Sequence, residues 1–244
     1  MQKANDRYQW IGAGIYTISE AARLTGVSDG RIRRWMKGYS FVRSGEKRTS
    51  LPVFKSHYEP TDRGTIALSF QDLIEVRFVD AFLNAGVSWS HLRAAHLRAA
   101  DFLQNTHPFA THQFVTDGHT VLTKVANKVL LDMFGIQMGF YQILSASLKE
   151  LEFKNRVTVR WWPMGRRQPV VIDGGRSFGQ PIVSKEGVPT AVLHRAYIAE
   201  DEPQTTPGTD RQIDMKVIQK VANWFGVANR SVRAAVEYEL RLAA

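Results

Sequence analysis

Between Tyr16 and Lys37 the apolar residues fall at helical spacing in two short runs. Ile18, Ala21, Ala22 and Leu24 give a first helix one buried side, and Ile32 and Trp35 face inward from a second. Thr17 and Glu20 have the spacing of a capping box at the first helix start. Gly26 stands where the turn needs a left-handed residue, and Val27 plugs the corner. Ser28 or Asp29 caps the second helix and Gly38 stops it. The pattern then changes to alternation on either side of a polar S-G-E-K-R tip, which predicts a hairpin over residues 39–54. Ser69 and Asp72 open a further helix that buries Phe70, Leu73, Ile74, Phe78, Val79 and Phe82. Gly86 ends it, and a second helix follows from Ser90 to about Gln104.

Residues 109–180 read as a small α+β module. The run H-Q-F-V-T-D-G-H-T-V-L predicts a hairpin turning at Asp117-Gly118, and Phe140–Leu151 a helix. R-V-T-V-R-W-W-P-M predicts a strand ended by Pro163, and Q-P-V-V-I-D-G-G-R-S-F another ended by Asp173-Gly174-Gly175. Toward the C-terminus the opening theme returns. Ala222, Gly226, Val227 and Val232 repeat the spacing of Ala22, Gly26, Val27 and Ile32, with Asp214 and Asn229 as caps. An acidic, Pro/Thr-rich stretch, A-E-D-E-P-Q-T-T-P-G-T-D, precedes this second unit and reads as a loop. The predicted helices are 20–25, 29–37, 70–84, 90–104, 140–152, 215–225 and 230–240. The fold class is mainly α with small β hairpins (α+β). Three domains follow: residues 1–108, 109–180 and 181–244, the last with an acidic loop at 199–212.

A small residue, a glycine four on and an aliphatic six further is the packing signature of a helix-turn-helix, whose second helix enters a DNA major groove. Charge agrees. The chain carries +9 over 244 residues, which favours a polyanionic partner. From Arg31 to Lys55 there are eight Lys/Arg against one acid, Glu46. A basic hairpin beside a basic second helix is the layout of a winged helix-turn-helix, the wing meeting phosphates. The candidate DNA-contacting residues are Ser28, Asp29, Arg31, Arg33, Arg34, Lys37, Arg43, Lys47 and Arg48. Asn229, Arg230 and Arg233 of the second unit join them, although Glu237 and Glu239 offset its charge and leave DNA and protein contact equally open.

Other chemistry finds no support. Without cysteine there is no disulfide or thiolate nucleophile. No apolar run reaches about 18 residues, so no membrane span is expected, nor does an apolar signal segment follow the first residues. Gly12 to Gly14 lacks the third glycine of a dinucleotide fingerprint. His107, His112 and His119 are spaced by five and seven, which fits no metal-binding helix, and His91 and His96 point to different faces. No nucleophile–base pair or phosphate loop is legible. The expectation is a protein that is not an enzyme and needs no metal or cofactor.

Two resemblances sharpen this reading. Y-T-I-S-E-A-A-R-L-T-G-V-S, the basic hairpin, and L-S-F-Q-D-L-I-E-V-R-F-V-D-A-F-L-N-A-G-V-S-W together resemble the DNA-binding head of the MerR superfamily. Unlike MerR regulators, the chain shows no heptads beyond Thr106. F-G-Q-P-I-V, G-V-P-T, a helix and V-A-N-W-F-G-V-A-N-R-S-V-R-A-A-V-E-Y-E are similar to a small family of bacterial antitoxin-associated domains. Those pair with PIN-type ribonuclease toxins. A MerR-like head on such a tail resembles one branch of Vap-type antitoxins. The resemblance implies an autorepressing antitoxin of a type II toxin–antitoxin pair, cytoplasmic and nucleoid-associated, acting as a homodimer on a double-stranded operator. The alternative is a MerR-like one-component transcription regulator whose C-terminal half senses a ligand. A PIN active site is lined by carboxylates, so arginine is the simplest inhibitor. Between Lys154 and Arg195 there are eight Lys/Arg against two acids. Arg160, Trp161, Trp162, Arg166, Arg167 and Arg176 are therefore the candidate partner-binding residues.

Overall fold

A computed structural model of the chain describes residues 12–58, 65–116, 145–147, 149–201 and 213–243. The fold is α+β. It opens with α1 (Ile18–Thr25) and α2 (Asp29–Lys37), followed by the antiparallel hairpin β1 (Tyr39–Arg43) and β2 (Glu46–Ser50). Helices α3 (Phe70–Asn84) and α4 (Trp89–Leu103) come next. A four-stranded antiparallel sheet runs in simple sequence order: β3 (Leu151–Lys154), β4 (Val157–Trp161), β5 (Val170–Asp173), β6 (Pro181–Val183). This sheet is more than the small hairpins expected. Three helices close the chain: α5 (Thr190–Glu200), α6 (Met215–Phe225) and α7 (Asn229–Ala243).

Local chemistry sets the boundaries. Thr17 and Glu20 form a reciprocal capping box on α1, and Ser69 and Asp72 form another on α3. Asn155 and Arg156, both at positive φ, make the two-residue turn that joins β3 to β4.

Three readings of the sequence are corrected. The first strand of the hairpin expected over residues 112–122 is helical instead, at residues 112–116. Thr111 Oγ1 accepts the Phe114 N–H at 3.2 Å, and Phe114 and Val115 are buried. The Asp117-Gly118 turn lies outside the described residues. Of the helix predicted over 140–152, residues 140–144 and 148 lie outside the described residues and 145–147 and 149–150 are helical, but Leu151 begins β3 because it pairs with Trp161. Ala199 and Glu200, expected in the acidic loop, end α5 instead, and residues 202–212 of that stretch lie outside the described residues.

One core unites the front of the chain with the sheet. Ile18, Leu24, Ile32 and Trp35 of the first helix pair share it with Leu73, Phe78 and Phe82 of α3, and also with Leu151, Trp161 and Ile172. Phe78, Phe82, Phe109 and Phe114 stack at its centre, with ring centroids 4.5–6.5 Å apart. A second core joins Val183, Leu193, Tyr197, Ile218, Val221, Val227 and Val232. Val170, Ala234 and Tyr238 bridge the sheet to α7. No helix among the described residues is long and apolar enough to cross a membrane.

Candidate nucleic-acid interface

Helix α2 turns only one side inward. Ile32, Trp35 and Met36 are buried, whereas Arg33, Arg34 and Lys37 are exposed. Neither Arg33 nor Arg34 has a side-chain partner among the described residues. Arg31 is drawn back onto the body of the protein. It pairs with Asp80 of α3 at 2.9 Å and lies 5.0 Å over the Trp35 ring. Asp29 accepts the Ser19 hydroxyl at 2.7 Å, tying the start of α2 to α1, and Ser28 occupies the N-cap without a side-chain cap bond.

The hairpin is fixed to the end of α2. Gly38 has φ +71, and a Cβ there would sit 2.2 Å from the Ser50 carbonyl oxygen, so only glycine lets β2 approach so closely. Val53 N–H donates to the Trp35 carbonyl at 2.8 Å, and Tyr39 meets Trp89 edge-on at 6.2 Å. Lys47 is exposed opposite Val42, and Arg48 lies opposite Phe41, with Glu46 3.3 Å from its guanidinium. Arg43 ends β1 opposite Glu46. The exposed cations of α2 and the hairpin tip thus belong to one continuous stretch of chain, with the hairpin held against α2 by the Val53–Trp35 bond.

The second helix pair is placed differently. Asn229 donates to Gln219 at 2.5 Å, Arg230 donates to the Arg167 carbonyl, and Arg233 pairs with Glu237 at 2.8 Å. The carboxylate of Glu186 faces the start of α7, 3.4 Å from the Ala228 N–H and the Ser231 hydroxyl.

The arginines of the central sheet are mostly engaged within the chain. Arg160 is held by Asp173 at 2.7 Å and Glu152 at 2.9 Å. The hydrogen bond to Asp173 is the largest influence, and it raises the Arg160 pKa above its usual value despite partial burial. Arg166 donates to the Leu151 carbonyl, and Arg176 to the Ser184 carbonyl at 2.8 Å. Arg167 is exposed, with no side-chain partner among the described residues. Trp161 is buried beneath the Arg77 guanidinium, 4.1 Å from its ring, and Glu150 accepts from both side chains. Trp162 is half-buried.

Sequence reasoning missed several contacts. Glu239 is buried on α7 and accepts from Thr190 and from Arg23 of α1, the latter at 3.0 Å. His107 is buried with its Nε2 2.8 Å from Asp72, and His96 is 3.2 Å from Glu75. Burial alone would lower the His107 pKa, but the hydrogen bond and charge of Asp72, aided by Glu75, outweigh it and raise the value. These histidines are core residues, and among the described residues no cluster of three metal-ligating side chains exists. The spacing of His96 and His107 in the chain gave no hint of Asp72 and Glu75, which lie one turn apart on α3.

No protein-family profile matches the chain. It is 26% identical over 197 residues to a Mycobacterium tuberculosis protein named "Putative antitoxin VapB45", covering 72% of this chain and 80% of that one. The structure resembles the crystal structure of Rv2018 from Mycobacterium tuberculosis with a TM-score of 0.64, 21% identity, and coverage of 91% and 96% of the two chains. At that identity the second likeness is one of fold.

Proposed function

We propose that this chain is the antitoxin of a Vap-type toxin–antitoxin pair. In this reading α1, α2 and the β1–β2 hairpin work as a winged helix-turn-helix of MerR type. A two-fold dimer binds its own operator and represses transcription, with half-sites about one helical turn apart. The rest of the chain neutralises a PIN-type ribonuclease toxin, and the protein has no catalysis of its own. The observation that carries the reading is the similarity to a protein named as an antitoxin, which extends over most of both chains. The free cations Arg33, Arg34 and Lys47 support a DNA role for the front end, because an exposed unpaired arginine on a rigid helix is suited to phosphate and guanine.

The deciding experiment is co-expression with the product of the adjacent reading frame. Co-purification of the two chains, loss of ribonuclease activity in the complex and a gel shift on the upstream DNA are expected. A chain that shifts the DNA but leaves the neighbour's product active and unbound would refute the antitoxin reading.

A further inference from the structure

The segment Ser177-Phe178-Gly179 carries three successive positive φ values, +48, +54 and +82. The first two belong to L residues, which avoid this region, so the surrounding structure imposes it. The imposing contacts are visible. Ile15 N–H donates to the Phe178 carbonyl at 3.1 Å, Gly179 N–H to the Arg176 carbonyl at 2.8 Å, and the Tyr16 hydroxyl to the Gly179 carbonyl at 2.8 Å. Glycine is required at 179, since a Cβ would lie 2.1 Å from the Tyr16 hydroxyl. The outcome is a phenyl ring held away from the core, 71% exposed on a rigid backbone.

Phe178 stands on the lip of a groove. A cavity of about 390 Å³ lies between α1 and the start of β6, lined by Phe178, Ile15 and Pro181 among others. It continues past Glu20, Arg23, Gln180 and Pro181 into a second cavity of about 270 Å³ beside α5, where Val192 and Arg195 line it. Ile15 and Val192 are each 39% exposed. The groove's two carboxylates are already committed. Glu20 accepts from the Thr17 N–H and hydroxyl, and Glu239 from Thr190 and Arg23. The uncommitted charge is cationic: Arg195 is exposed and has no partner among the described residues. No residue of α2 or of the hairpin lines either cavity.

Resting on the antitoxin reading, we propose that this groove seats the toxin. It takes an apolar segment of the toxin that carries carboxylates along one side, with Phe178 as the aromatic anchor and Arg195 as the charge partner. A preorganised aromatic at the edge of an apolar channel is the residue type that dominates binding energy at interfaces. The engagement of Arg160, Arg166 and Arg176 within the chain points the same way, since it leaves the sheet's edge with few free donors.

The test uses the full chain and the purified product of the adjacent toxin gene, with affinity measured by calorimetry and operator binding by gel shift. Phe178→Ala is expected to weaken the complex by about 30-fold or more. Arg195→Glu should weaken it further at low salt than at high salt, and both variants should keep wild-type operator affinity, which also reports that they fold. Wild-type affinity for the toxin in both variants would overturn the groove assignment and leave the antitoxin reading standing. Absence of any complex with the wild-type chain would overturn both.

Discussion

The α1–α2 and α6–α7 pairs are built on the same corner and set in different surroundings. Both first helices end on a glycine in the left-handed region, φ +75 at Gly26 and +62 at Gly226. Val27 and Val227 are buried beneath the turns, and Ile32 and Val232 are fully buried one turn into the second helices. Beyond the corner they part. Helix α2 buries three residues and exposes Arg33, Arg34 and Lys37. Helix α7 buries Ser231, Val232, Ala234, Ala235, Val236, Tyr238 and Glu239 against α5, the sheet and Arg23 of α1. A carboxylate, Glu186, faces the N-terminal end of α7, 3.4 Å from the Ala228 N–H. The spacing of four residues fixes a corner, whereas what covers the second helix decides whether that helix is free to read anything.

The largest effect that would break this comparison is on DNA. Arg33→Ala with Arg34→Ala should lower operator affinity by about 100-fold or more, at about 1–3 kcal/mol per lost base contact. Arg230→Ala with Arg233→Ala should change it by less than about 2-fold. Arg31→Ala should fall between, because Asp80 already holds that guanidinium. Gel shifts on one operator fragment at fixed salt decide the matter. An equal loss from the two double variants would mean that the surroundings of α7 do not restrict it.

The sequence made the corners legible and the surroundings illegible, for a physical reason. Caps, glycines and the spacing of apolar residues are local, so Thr17, Gly26, Ser69 and Gly226 could be assigned from neighbours in the chain. Glu186 over α7, Asp80 against Arg31 and Glu239 against Arg23 come from partners 45, 49 and 216 residues away, and no local pattern encodes them. The central arginines illustrate the same limit. A count of basic residues over 154–195 gives a charged surface, but Asp173 and Glu152 neutralise Arg160 across neighbouring strands. Helix α5 is carried in the sequence by the tail resemblance rather than by its own period. Leu193 and Tyr197 face inward while Val192 and Ile198 stay exposed, which blurs its period.

A smaller effect sharpens the likeness of the two corners. A Cβ at Gly26 or Gly226 meets nothing within 4 Å, so alanine there suffers only from its left-handed backbone. Gly26→Ala and Gly226→Ala should therefore each cost about 1–2 kcal/mol, equal within error. That corresponds to a few degrees in melting temperature for a chain of this size. Thermal or urea melts of the two variants check it. A cost at one glycine much above the other would show that the two turns are not equivalent in packing.

The smallest expected effect is a slope with pH that belongs to the core shared by the first helix pair. His107 lies in that region, hydrogen-bonded to Asp72, with Glu75 one turn along α3 and the His57 ring 5.8 Å away. Its pKa is raised in the folded protein, because Asp72 and Glu75 favour the imidazolium more than burial opposes it. The folded state therefore holds the proton more tightly than the unfolded chain does. The resulting stabilisation is fully present below about pH 6.5, the unfolded value, and is lost as pH rises through the folded value. The second core has no such histidine–carboxylate pair among the described residues, and the buried Glu239 of α7 is paired with Arg23 at 3.0 Å. Melting midpoints of the wild-type chain should thus fall as pH rises from about 6 toward 8, after subtraction of the same curve for His107→Gln. Glutamine retains a donor for Asp72 but does not titrate. A difference curve that is flat, or that rises with pH, would mean that His107 is neutral in the folded protein and that the Asp72 bond is an ordinary core contact.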